Sequence, residues 1–137
     1  MGTLILQDLA DLLSDYKPNI WAGEVPYEVA QKLRLTHQDV YMNKRALVHI
    51  LTDHPDIDHW DVLTIPIALR SGLWLQEVDR PNIVLVSHFD NHRGKRFVTA
   101  MKTYEHGSEM WVSSYYRSHV RQTAGMLKRC RILRSHV

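Results

Sequence analysis

The stretch PNIVLVSHFDNHRGKRFVTAMK, residues 81–102, decides the fold. PNIVLVSHF (81–89) is rich in β-branched residues, DNHRGK supplies turn chemistry, and RFVTAMK (96–102) runs back, a pattern that predicts a β-hairpin. Downstream, YEHGSE reads as a second turn and MWVSSYYR (110–117) as a third strand, antiparallel to the second. SHVRQTAGMLKR then reads as a short helix and CRILR (130–134) as a closing strand.

Upstream of Leu73 the apolar period is helical. Leu4, Leu6, Leu9, Leu12 and Leu13 predict a first short helix that ends before Pro18. Pro26 opens a second, with Val29, Ala30 and Leu33 on one face, that stops near Thr36. Asn43 is the N-cap of a third, NKRALVHILTDH, whose stripe is Ala46, Leu47, Ile50 and Leu51 and whose end is forced by Pro55. A fourth is expected over HWDVLTIPIALRSG, with Trp60, Leu63, Ile67 and Leu69 buried and Pro66 marking a kink or the true start. The expected class is α+β: N-terminal helices, then an antiparallel meander of about four strands with a short helix before the last. One domain over 1–137 is expected, residues 1–42 a helical extension and 43–134 the core.

Composition narrows the function classes. The lone Cys130 forms no internal disulfide and no CxxC zinc site. No apolar run reaches the roughly 18 residues of a bilayer span, so a soluble, cytoplasmic chain without membrane partners is expected. GxGxxG, GxxxxGK and GxSxG are absent, which argues against nucleotide cofactors and acyl-enzyme chemistry. HPDIDHWD (54–61) reads as an N-cap with favourable helix-dipole charges rather than a metal site, and no cofactor or metal is expected.

The net charge of +2 conceals two opposite halves. Residues 1–90 carry 7 Lys/Arg against 13 Asp/Glu, and residues 91–137 carry 10 against 2. Either the halves neutralise each other within one fold or the second presents a polyanion-binding face. The cations Lys95, Arg96, Arg121, Lys128, Arg129 and Arg131, near the rings of Trp111, Tyr115 and Tyr116, suit single-stranded nucleic acid. Strict alternation would place Met110, Val112, Ser114 and Tyr116 on one face of the third strand, and Trp111, Ser113, Tyr115 and Arg117 on the other. On a helical wheel with Ala46 at zero, His49 falls near 300°, beside Asp53 near 340°, and His54 near 80°. A histidine acid/base, cations and hydroxyls form the minimum set for RNA transesterification, in which the ribose 2′-hydroxyl is the internal nucleophile.

The helix VHILTDHP, the strands NIVLVSHF and RFVTAMK, and MWVSSYY leading to the basic LKRCRILR together resemble the metal-independent nuclease superfamily of barnase, EndoU, the tRNA-cleaving colicins and RelE, in its phage-associated branch. The resemblance covers roughly residues 43–134. It implies that His49 or His54 is the helical acid/base, that Lys102 steadies the phosphate, and that Ser113, Ser114, Tyr115 and Arg117 are the polar positions of the last strand. Many members carry Thr-x-Tyr on that strand, where this chain has Ser113-Ser114-Tyr115. The activity implied is a toxin-like or phage-encoded endoribonuclease acting on tRNA or mRNA, with an immunity or antitoxin-like protein as a second partner. The alternatives are a non-catalytic module that binds nucleic acid or an acidic partner through a basic sheet face, and a head-morphogenesis or packaging accessory.

Overall fold

The computed structural model describes residues 2–103 and 109–136. The chain opens with α1 (Leu6–Leu13), β1 (Asn19–Glu24), α2 (Tyr27–Leu33) and β2 (Asp39–Asn43), and β2 runs without a loop into α3 (Lys44–Asp53). Two short helices follow, α4 (His59–Val62) and α5 (Ile65–Ser71), then β3 (Leu73–Glu77), β4 (Ile83–Asp90), β5 (Lys95–Thr103) and β6 (Met110–Arg117). The helix α6 (Val120–Arg129) and the strand β7 (Cys130–Arg134) close the chain. The second predicted turn, YEHGSE, falls mostly on 104–108, outside the described residues.

The α+β class holds, but the sheet is larger than four strands and is not a pure meander. Its seven strands lie in the order β1-β2-β6-β5-β4-β3-β7, and β2 pairs with β6 in parallel. Residues 1–42 are therefore not wholly helical, because β1 and β2 complete one side of the sheet. Both are five or six residues long. In β1 a bulge between Trp21 and Gly23 breaks the alternation that betrays a strand. In β2 the last residue, Asn43, is also the N-cap of α3, its side chain accepting from the Ala46 N–H, so no turn residue marks the boundary.

The central hairpin forms as read. Asp90 accepts from the backbone N–H groups of His92 and Arg93 through Oδ1, and Gly94 takes the left-handed conformation (φ 63°) that the tight turn requires. The helix expected over 59–72 is split, with Pro66 in the first turn of its second half. Trp60 and Ile67, expected inside, are 58% and 47% exposed, because the split re-aims the apolar stripe through Val62, Ile65, Ala68 and Leu69.

Both faces of the sheet are covered, unequally. The inner face carries the main core, with Trp74, Val84, Val86, Phe97, Met101, Val112 and Tyr115 packed against residues of α1 to α5. The outer face carries a small cluster, Leu73, Leu75, Leu85 and Val98 under Met126 of α6. β2 and β6 pair over Val40–Tyr41 and Met110–Trp111, and beyond that point α3 lies beside β6 in the place of a strand. The outer surface of β5 and β6 is thus a floor between α3 and α6.

Candidate active site

A β-bulge sorts the polar residues of β6. Ala100 pairs with Ser114 and Met101 with Val112, so Ser113 is the extra residue. Its hydroxyl donates to the Ala100 carbonyl at 3.0 Å, next to the break in the ladder. The phase reverses there. Met110, Val112 and Tyr115 face the main core, whereas Trp111, Ser114 and Tyr116 face outward beside Lys102, Ala100 and Val98 of β5. The strict alternation expected for this strand is corrected by the bulge.

Two predicted site residues leave the site as a result. Tyr115 is fully buried, stacked on Phe97 with ring centroids 5.1 Å apart, and its hydroxyl pairs with Thr64 Oγ1 at 2.8 Å. Burial pushes its phenol far above the ordinary value, so it stays protonated and structural. Arg117 lies opposite Phe97 in register and so belongs to the inner side, past the end of the core. Tyr115→Phe is accordingly expected to lower stability by about 1 kcal/mol, the scale of one buried hydrogen bond. Denaturant unfolding measures that loss, and the activity assays below should give wild-type rates for this variant.

The remaining candidates converge. His49 and Arg45 from α3, its N-cap Asn43 at the end of β2, Lys102 from β5, and Trp111 and Ser113 from β6 line one open cleft of about 460 Å³. The His49 Nδ1 lies 2.6 Å from Asp53 Oδ2, one helical turn on, the neighbourhood read from the wheel. With Nδ1–H donating to that carboxylate, Nε2 is left as the acceptor nitrogen. His54 lies further along β6. Its Nε2 is 3.3 Å from Ser114 Oγ, its ring is 5.6 Å from the Tyr116 ring, and it meets the His49 ring edge-on at 5.7 Å. The wheel separates the two histidines, but His54 is the C-cap with non-helical φ −125° and ψ 75°, and its side chain swings back toward His49.

Arg45 was not among the residues singled out from the sequence. Its signal was its place four residues before His49 on the same helix face. Tyr41 was missed as well; it pairs with Trp111 across the parallel ladder, the rings 5.5 Å apart and tilted by 43°.

The basic residues disperse rather than form one patch. Arg121 and Arg129 of α6 line a second outer-face cleft of about 350 Å³ with Tyr116, Gln122, Gly125 and Met126. Burial raises the Tyr116 phenol above its ordinary value while the Arg129 charge opposes the shift, which leaves a protonated hydroxyl there. Lys128 is exposed on α6 and Lys95 opens β5 at the hairpin turn. Arg96 donates to Ser87 Oγ and lies over the Phe89 ring, while Arg131, on the edge strand β7, donates to Gln76. Arg93 and Arg134 are drawn into ion pairs with Asp61 and Glu28.

The 54–61 segment is a helix cap, as expected. Asp58 Oδ1 accepts from the Asp61 N–H at 2.8 Å and Asp61 Oδ2 from the Asp58 N–H at 3.0 Å, a reciprocal pair that starts α4. No helix among the described residues is long and apolar enough to cross a membrane. Comparison of the chain with protein-family profiles, curated proteins and solved structures finds no match.

Proposed function

We propose that this chain is a metal-independent endoribonuclease that cleaves by 2′-hydroxyl transesterification, with His49 as the general base. The observation that carries the reading is the cleft itself. An imidazole with one nitrogen held by a carboxylate opens into a space flanked by two cations, Arg45 and Lys102, with a second imidazole 5.7 Å away.

The chemistry follows from those groups. His49 Nε2 accepts the proton of a ribose 2′-hydroxyl, and the oxygen attacks the adjacent phosphorus. The bond from phosphorus to the 5′-oxygen breaks, giving a 2′,3′-cyclic phosphate and a 5′-hydroxyl. Arg45 and Lys102 offset the extra negative charge on the phosphorane oxygens, where pre-placed cations act with little reorganisation. His54, as imidazolium, supplies the proton to the departing 5′-oxygen, and Ser114 positions its ring. The Ser113 hydroxyl is committed to Ala100, so in this scheme it holds the bulge rather than the phosphate.

The test is incubation of the purified protein with total tRNA and a labelled RNA in excess EDTA, followed by mapping of the 3′ ends. Cyclic phosphate ends are expected. Intact RNA at high protein concentration, with and without added divalent metal, would leave a binding module as the better account, and cleavage only with metal would overturn the mechanism.

A further inference from the structure

The two outer-face clefts are joined by one strand. Trp111 lines the first and Tyr116 the second, and in the register of β5 and β6 both residues stand on the same side of the sheet. They are five positions apart with a bulge between, roughly 15 Å along β6. His54 lies between them, against Ser114 and Tyr116 and edge-on to His49. Arg121 and Arg129 stand at the far end, on the helix that covers the small outer cluster.

The near end has the character of a stacking site. Trp111 is half-buried, its indole N–H donates to Glu109 Oε2 at 3.1 Å, and Tyr41 packs against it. Both contacts restrain the indole. A restrained aromatic ring at the wall of a cationic cleft favours a planar, polarisable ligand next to a phosphate, and a base offers its face only when it is unstacked. A duplex presents its sugar and phosphate edge instead.

We propose that the outer side of β6 is a track for an unpaired RNA strand, with one base against Trp111, the reacting phosphate between His49, Arg45 and Lys102, and a following phosphate on Arg121 and Arg129 beyond Tyr116. This rests on the ribonuclease reading for the identity of the middle position, but the two flanking subsites are defined independently of it. The substrate class is single-stranded RNA, including loops and tails of folded RNAs.

The experiment uses a labelled hairpin RNA with a long loop, its fully paired duplex counterpart, and three variants, Trp111→Leu, Trp111→Phe and Arg121→Ala/Arg129→Ala. Cleavage and direct binding are both read. The wild-type protein is expected to cut the loop and spare the stem. Trp111→Leu should lose roughly five- to a hundredfold in kcat/KM, Trp111→Phe should recover most of that, and the double arginine variant should bind the loop more weakly with a shallower salt dependence. Equal cleavage of stem and loop, or a Trp111→Leu protein that cuts normally while His49→Ala does not, overturns the track and leaves the ribonuclease reading standing. Absence of cleavage by the wild type, with loop binding lost in Trp111→Leu and kept in Trp111→Phe, overturns the catalytic reading and leaves the track standing. Trp111→Phe retains an aromatic ring against Tyr41, so it still tests the site if the leucine variant fails to fold.

Discussion

In His49→Ala, RNA cleavage in EDTA is expected to fall by roughly a hundred- to ten-thousandfold, the range that removal of a positioned general base produces, with thermal stability unchanged. The side chain is 44% exposed and its partner Asp53 is 55% exposed, so neither removal opens a cavity. An exposed ion pair on a helix contributes only a few tenths of a kcal/mol to stability. Activity and stability therefore separate at this position, which makes it the sharpest test of the proposal. Asp53 acts through His49 and touches no reacting atom, so it is a positioning residue. Asp53→Asn should lower kcat about tenfold with KM little changed, because the substrate contacts remain while the ring loses its anchor. Asp53→Glu should restore part of the loss. A His49→Ala protein that cleaves at the wild-type rate would remove the general base from the scheme and with it the scheme.

His54 must be tested differently, because it is packed between Ser114 and Tyr116. His54→Gln keeps an amide able to meet Ser114 and cannot serve as an imidazolium. If His54 supplies the leaving-group proton, the glutamine variant loses most activity on ordinary RNA. It should recover when the leaving group is a phenolic or nitrophenyl oxygen that departs without a proton.

The parts of this arrangement that could be read from the chain are those set by local chemistry. Asn43, Pro55 and the helical period placed α3, and the period alone put His49 beside Asp53. Asp90 and Gly94 placed the hairpin turn. What was hidden depends on distant pairing. Nothing in SSYY says that Ser113 is skipped by its partner strand, yet that one bulge exchanges Tyr115 for Tyr116 on the outer face and decides which tyrosine belongs to the site. The parallel pairing of β2 with β6 is equally non-local, since it joins residues about 70 positions apart and brings Tyr41 to Trp111. The charge asymmetry was real as composition and only partly so as a surface, because Arg93 and Arg134 are consumed in ion pairs with the acidic half.

Asp61→Ala is expected to cost about 3 kcal/mol of folding stability and, through it, most of the activity. The carboxylate is wholly buried, and its two oxygens have separate tasks. Oδ2 accepts from the Asp58 N–H at the start of α4, while Oδ1 is ion-paired with Arg93 from the β4–β5 turn. Its backbone carbonyl accepts from Thr64 Oγ1 at 2.6 Å, and that hydroxyl meets Tyr115 in the core. Truncation removes the N3 half of the capping box, worth up to about 1 kcal/mol, and leaves Arg93 with only the exposed Asp58 carboxylate, 3.6 Å away, as counter-charge. Breaking a fully buried pair costs roughly 3–5 kcal/mol, but the Arg93 side chain is 30% exposed and can turn toward water, which sets the total near the lower end. For a chain of this size that corresponds to a fall in Tm of about 10 °C. Arg93→Ala should be comparably harmful, since it strands the buried carboxylate, and the double variant should be less than additive by at least about 1 kcal/mol. Loss of activity would follow because α4 anchors the 54–58 connection that carries His54, so loosening it frees the ring from Ser114 and Tyr116. Additive losses in the double variant, measured by denaturant unfolding, would mean that Arg93 and Asp61 are neighbours without being coupled, and that the hairpin turn is held to α4 by something else.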